Sequence, residues 1–216
     1  MKKLKGLLKA AHFGPTLIVT AISFAFAVHY WWEGPAFVIA FGVFTGQLVV
    51  GWSNDLYDLA DDLKHQRSKK PLVAGLITKE SLQKWLRFMV PFSFVANLLG
   101  PLGIKGGLVY MLGIACGVAY NFYFKFSILS PLPYAIAFAA LPSSVAISKD
   151  INPPMWMLLG GALFGMAAHF INVIKDMEED QASGIKGLPQ RLGKTKSIVV
   201  AILLILLGIA VLIFVS

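Results

Sequence analysis

"GWSNDLYDLADDLKHQRSKKPL", residues 51–72, places four carboxylates, Asp55, Asp58, Asp61 and Asp62, within eight positions. They follow directly on an apolar run, and Lys64, Arg67, Lys69 and Lys70 follow them. Such a gathering is out of character for the chain around it. Of the 216 residues, 57% are hydrophobic and 14% charged, and the mean hydropathy is +0.71. A soluble domain carries about 25% charged residues, so this chain has too few to coat a water-facing surface. Its apolar runs match helices that cross a bilayer, each needing roughly 20 residues, and they lack the alternation of barrel strands. The sequence therefore predicts an all-α, polytopic transmembrane helix bundle, one domain over 1–216. Seven spans are expected near 15–32, 36–53, 85–103, 107–124, 131–148, 154–174 and 197–215.

A formal net charge of +8 is large enough to suggest nucleic acid as a partner, but its placement excludes that class. With the N-terminus in the cytosol, all 19 lysines and arginines fall in cytosolic segments except Lys105 and Lys149. That asymmetry is the positive-inside rule, and it makes membrane lipids the partner of the surface. The start of the chain has the basic and apolar parts of a signal peptide, with Ala25-Phe26-Ala27 as a cleavage site. A multi-span protein keeps its first helix, however, and Leu4, Leu7, Leu8 and Ala11 have the spacing of a short amphipathic helix on the bilayer surface. Cys116 stands alone, so neither a disulfide nor a thiolate metal site can be built; packing is its expected role.

The polar pattern occurs twice. Asn54, Asp58 and Asp62 are matched by Asn172, Asp176 and Asp180, each set at the cytosolic end of an apolar helix. A spacing of four puts each trio on one stripe; Asp55 shares the first stripe and Asp61 points partly away. Stacked carboxylates repel one another and are disfavoured at a helix C-terminus, so a solvated helix end does not account for them. A bound cation does. The ligands are all hard oxygens, which suits Mg²⁺ or Ca²⁺ rather than zinc or copper. Magnesium takes one or two carboxylates and completes its shell with water and substrate phosphates. Two such clusters ringed by Arg67, Lys69, Lys70, Lys186 and Arg191 describe a site for a magnesium–diphosphate, although positive-inside bias alone would supply most of those basic residues.

These residues resemble the UbiA superfamily of intramembrane prenyltransferases. Asn54, Asp55, Asp58 and Asp62 match its Asn-Asp-x-x-Asp-x-x-x-Asp motif, and Asp176 and Asp180 match its Asp-x-x-x-Asp motif, followed by "GIKGLPQRLG". "KKPLVAGLIT" is similar to the family's Arg-Pro-Leu-x-x-Gly-x-Ile segment, with Lys70 in place of arginine. The resemblance covers residues 12 to about 196. It departs at "AYNFYFKFS", where Asn121 rather than tyrosine stands four before Lys125. Members also usually have nine helices against the seven expected here, which leaves a pair lost, truncated or supplied by another subunit and raises a homo-oligomer.

The resemblance implies that Mg²⁺, as two ions bridged by the diphosphate, is held by Asp55, Asp58, Asp62, Asp176 and Asp180. Diphosphate contacts are implied for Asn54, Arg67, Lys69, Lys125, Asn172, Lys186 and Arg191. Acceptor or carbocation contacts fall to Tyr57, Asn121, Tyr123 and His169, with Phe122 and Phe170 as further aromatic faces; His169 equally suits hydrogen-bonded packing. The implied reaction transfers an isoprenyl group from its diphosphate to an aromatic or other lipophilic acceptor, as in quinone or related lipid synthesis, in the cell membrane with the site facing the cytosol. A terpene cyclase of the same superfamily and a non-catalytic isoprenoid-binding protein are the alternatives. The Asp-Gly-x-x-Ala-Arg signature of CDP-alcohol phosphotransferases is absent. A transporter would hold its carboxylates near the midplane. Cysteines placed at Lys69 and Gly187 should label from the cytosolic side and one at Asp150 from the other. Labelling of 69 and 150 from one side would overturn the seven-span arrangement.

Overall fold

The computed structural model describes residues 2–215, so Met1 and Ser216 lie outside the described residues. Among these the chain forms nine α-helices and no strand. They are α1 (Lys2–Ala10), α2 (Phe13–Tyr30), α3 (Glu33–Lys64), α4 (Lys79–Leu99), α5 (Gly103–Phe122), α6 (Leu132–Ile147), α7 (Met155–Ala182), α8 (Leu188–Leu192) and α9 (Lys194–Phe214), with a 3₁₀ turn at Phe124–Phe126. Five of them, α2, α3, α5, α7 and α9, are long and apolar enough to cross a membrane. The other two expected spans differ in kind. Helix α6 is apolar but has only 16 residues. Helix α4 starts earlier than the apolar run, at Lys79, because the Thr78 hydroxyl caps it by accepting from the Ser81 N–H at 3.2 Å. Its first turns therefore carry Lys79, Glu80, Lys84 and Arg87.

The largest departure from the expected spans is at α3 and α7. Both run straight through the aspartate motifs, to Lys64 and Ala182, instead of ending near 53 and 174. Hydropathy marks where a segment leaves the apolar layer; it does not mark where the helix stops. The motifs are thus the last turns of two long helices, with the side chains on stripes as the spacing predicts.

Helix α3 packs on α2, α4 and α5, while α6 packs on α5, α7 and α2, and α9 lies along α7. Without a hydrophobic drive between helices in lipid, close backbone approach supplies much of the contact. At Gly165 of α7 an added Cβ would lie 2.4 Å from the Tyr134 carbonyl oxygen, so only glycine lets α7 reach α6 there. Gly51 does the same for the α1–α2 corner, where a Cβ would sit 2.9 Å from the Ala11 backbone. Helix α1 is held against this corner by the Trp52 indole, which donates to the Leu7 carbonyl at 3.0 Å. The polar Asn97 inside the bundle donates to the carbonyls of Gly42 (3.0 Å) and Ser93 (2.7 Å), joining α4 to α3.

Gly165→Leu should drive α6 and α7 apart and cost about 1–3 kcal/mol or more, as overpacking does. Gly14→Ala, where nothing lies within 4 Å of the new Cβ, should be neutral or slightly stabilising. Thermal unfolding of the two variants in mild detergent checks the contrast.

Candidate active site

The two motif helices end in the same way. In α3 the chain turns at Gln66 (φ 52°), and the N–H groups of Arg67 and Gln66 donate to the carbonyls of Asp62 (3.0 Å) and Leu63 (3.2 Å). In α7 it turns at Gly184 (φ 73°), and those of Ile185 and Gly184 donate to Asp180 (2.9 Å) and Gln181 (3.0 Å). Both are Schellman closures, with the last aspartate of each motif at the same distance from the helix end. The repeat seen in the side chains therefore extends to the backbone, although Gln66 stands where Gly184 does.

Each carboxylate of the first motif meets a cation of the chain. Asp55, 2% exposed, accepts from Lys70 Nζ at 3.0 Å and lies 3.3 Å from His12 Nε2. Its Oδ2 is buried with no partner. Asp62, equally buried, accepts from Arg67 Nη1 at 2.7 Å. Asp58 pairs directly with the Lys125 ammonium and accepts from Asn54 Nδ2 at 3.0 Å. Asn54 also donates to Asn121 Oδ1 at 3.2 Å, and Asn121 donates to Val50 O and Ser53 Oγ, each at 3.2 Å. Asn121 thus fixes the amide that fixes Asp58. Asp61 sits to one side, between Arg67 (3.3 Å) and His65 (3.2 Å), as its register predicts. In the second motif, Asp180 accepts from Gln190 Nε2 at 2.8 Å, while Asn172 and Asp176 are exposed on the wall of a cavity.

Burial works to lower the pKa of Lys70, but Asp55, and after it Asp62, outweigh this and hold it above the ordinary 10.5. A raised lysine pKa contributes its full stability below 10.5 and loses it only as pH climbs through the folded value. The contribution of Lys70 is therefore constant across the neutral range.

Several expected contacts are arranged differently. Lys69 is exposed, and its neighbour Lys70 is the lysine that reaches the carboxylates. Arg67 is engaged by protein groups on every side. Lys186 and Arg191 are exposed, and the Arg191 Nε donates to the Lys186 carbonyl at 2.7 Å. Tyr123 is exposed and edge-on to Phe124, whereas Phe122 packs edge-on against Tyr57. Lys125 lies 4.8 Å from the Tyr57 ring centre. Phe170 is buried in the core. His169 is 1% exposed and bonds Ser130 Oγ at 3.0 Å, flanked by the rings of Tyr120 and Tyr134. Sequence reasoning missed Gln190, Tyr120 and Tyr134 as members of the site; none carries a local signal, since their roles come from helices that meet only in the fold. Among the described residues no three of the His, Cys, Asp and Glu side chains converge as a ready-made metal cage.

Behind the motifs lies a cavity of about 680 Å³ between α2, α3, α5, α6 and α7, with Leu212 of α9 at its edge. Its walls run on α7 from Asp176 to Trp156, and 20 residues of helix span roughly 30 Å. His12, Asn54, Asn172 and Asp176 stand on its wall at the motif end, and Tyr120, Tyr134 and Phe138 line it further in.

The family model of the UbiA prenyltransferase family matches residues 16–216. The chain belongs to the UbiA prenyltransferase family. No curated protein matches it by sequence. Among solved structures it is similar to a UbiA homolog from Archaeoglobus fulgidus bound to GPP and Mg²⁺. That match has a TM-score of 0.78 and 15% identity, over 97% of this chain and 77% of the other. It is also similar to a digeranylgeranylglyceryl phosphate synthase, with a TM-score of 0.71 and 19% identity, over 98% of this chain and 76% of that one. These likenesses establish a shared fold for this UbiA family member.

Lys70→Met leaves Asp55 buried with His12 as its one remaining partner and should destabilise the protein by about 3 kcal/mol, the low end for breaking a buried pair. Adding Asp55→Asn should recover part of the loss, which a double-mutant cycle on thermal unfolding would measure.

Proposed function

We propose that this UbiA family member transfers an isoprenyl group from an isoprenyl diphosphate to a lipophilic acceptor, with Mg²⁺ and with the motif-bearing end facing the cytosol. One observation carries the reading: two matched aspartate motifs lie at one end of an apolar cavity, lining it with Asn54, Asn172 and Asp176, and the cavity follows α7 for roughly 30 Å. The residues fit magnesium. The donors are all hard oxygens, Asp55 Oδ2 is buried without a partner, and Asp176 is open to the cavity. The lack of a closed cage suits an ion that takes only one or two carboxylates and shares the rest of its shell with phosphate and water. Asp55, Asp58, Asp62, Asp176 and Asp180 would hold it. When bound, it supplies Lewis-acid stabilisation of the charge on a departing diphosphate.

The chain's own residues do the remainder. Lys70 and Lys125, each paired with an aspartate, are placed to take diphosphate oxygens as additional partners. Asn54 and Asn121 hold Asp58 in one orientation. Tyr120 and Tyr134 present aromatic faces beside the cavity, suited to an allylic cation. The apolar wall beyond them excludes water, which would otherwise trap that cation. The bond from the allylic carbon to the diphosphate oxygen breaks, pyrophosphate leaves with the electron pair, and the acceptor's nucleophilic atom bonds to the carbon and gives up its proton to the departing pyrophosphate or to water. The largely apolar lining supports a lipophilic acceptor, aromatic as in quinone synthesis or otherwise.

Purified protein incubated with Mg²⁺, candidate acceptors and diphosphates of several lengths, with products identified by mass spectrometry, tests the proposal. Asp58→Asn and Asp176→Asn should each lower turnover on the order of 100-fold or more while Asp61→Asn costs much less. Near-normal turnover in both of the first two, or full activity in excess chelator, would overturn the reading.

Cavity length yields a separate expectation. At Gly160 an added Cβ meets only Leu212, at 3.6 Å, so a side chain there grows into the far end of the cavity. Gly160→Phe should lower turnover of long diphosphates at least tenfold relative to short ones, read as a shift in product lengths.

A further inference from the structure

The carboxylate motifs belong to helices that do not pack on each other. Helix α3 lies against α2, α4 and α5, and α7 against α6, α8 and α9, with the cavity between the two. Something must nevertheless set the separation of the two carboxylate sets, because a site shared between them works only at one spacing. Among the described residues, every hydrogen bond and ion pair that joins residues 33–78 to residues 155–193 runs through one side chain, Arg67.

Its guanidinium is surrounded by protein groups. Nη1 donates to Asp62 Oδ1 at 2.7 Å and lies 3.3 Å from Asp61 Oδ2. Nη2 donates to Ser183 Oγ at 2.5 Å and to the Glu179 carbonyl at 3.3 Å. Nε lies 3.7 Å from Glu179 Oε2. A guanidinium has five N–H donors in a rigid planar fork and no acceptor, and here both terminal nitrogens are committed to protein oxygens, with only Nε outside hydrogen-bond reach of a partner. The lysines differ: an ammonium is a rotatable point charge that can change partners. Arg67 is also held at its base, since its own N–H closes the α3 cap on Asp62. Ser183 is the capping residue of α7, three after Asp180, and its hydroxyl donates onward to the Glu179 carbonyl at 3.0 Å. The fork thus joins the closing turn of one motif helix to the closing turn of the other.

We propose that Arg67 is a positioning residue that ties the two aspartate motifs into one clamp, with Ser183 and Glu179 as its anchor on the second motif. The proposal rests on the reading of those motifs as a joint diphosphate site, but its structural half stands without it. Losing the tie would leave both carboxylate sets intact and their separation unfixed.

Spin labels at Ser68 and Gln181, both exposed, in a Cys116→Ser background report that separation directly. Arg67→Lys keeps the charge and loses the fork; Ser183→Ala loses the anchor; Ser183→Thr keeps a hydroxyl and is the rescue. The first two should broaden the label-to-label distance distribution and lower kcat at saturating diphosphate at least tenfold. The double variant should be no worse than either single, and Ser183→Thr should behave as wild type. An unchanged distance distribution in both Arg67→Lys and Ser183→Ala overturns the proposal. So does a silent Ser183→Ala beside an Arg67→Lys that only raises KM for the diphosphate, which would make Arg67 a diphosphate ligand. If the unsubstituted protein turns over no diphosphate, the functional reading fails while the distance measurement still decides the tie.

Discussion

Repulsion among carboxylates at the ends of two membrane helices is the constraint around which this protein is arranged. Aspartates at intervals of four along a helix repel, and the helix's own C-terminal dipole adds to the cost. Burial makes matters worse, because Asp55 and Asp62 are each 2% exposed. A charge taken out of water needs a partner, and the chain provides one for each: Lys70 for Asp55, Lys125 for Asp58, Arg67 for Asp62 and the Gln190 amide for Asp180. Those partners come from loops and a helix well separated in the sequence. Neutralising the first motif therefore also fixes the paths of the α3–α4 loop and the segment after α5.

The same balance explains why the site is not a closed metal cage. Carboxylates held by lysine and amide partners keep their orientation without an ion, yet Asp55 Oδ2 and Asp176 retain unclaimed acceptor capacity. A cation that arrives with phosphate oxygens needs little more from the protein than that. The apolar cavity behind gives these charges a low-dielectric neighbour, where electrostatic interactions are stronger than in water. Polar mouth and dry interior are thus two sides of one arrangement: the helices that end in aspartates are also those whose middle turns line the cavity.

Much of the site was legible in the sequence because helical spacing is a local property. Asn54, Asp58 and Asp62 had to share a stripe once α3 was a helix, and Asp61 had to lie off it. The boundaries were less legible. Apolar runs 36–53 and 154–174 marked the part of each helix in contact with apolar surroundings, whereas the helices continue to Lys64 and Ala182 through polar residues. Which of two adjacent lysines faces the aspartates was also beyond a sequence reading, since the turn through Pro71 aims Lys70 inward and leaves Lys69 in solvent.

By itself the sequence determined the membrane class, the helical architecture, the repeated aspartate stripes and the all-oxygen character of the site. Each follows from composition or from a periodicity of a few residues. The tertiary structure alone decided which cation meets which carboxylate, that Asn121 is wired to Asn54, and that His169 is a buried partner of Ser130. It likewise decided that Arg67 bridges two helices that do not pack along each other. The physical reason is distance along the chain: Arg67, which holds Asp62, and Ser183 are joined by a hydrogen bond of the folded state between residues 116 positions apart, and no local pattern encodes it.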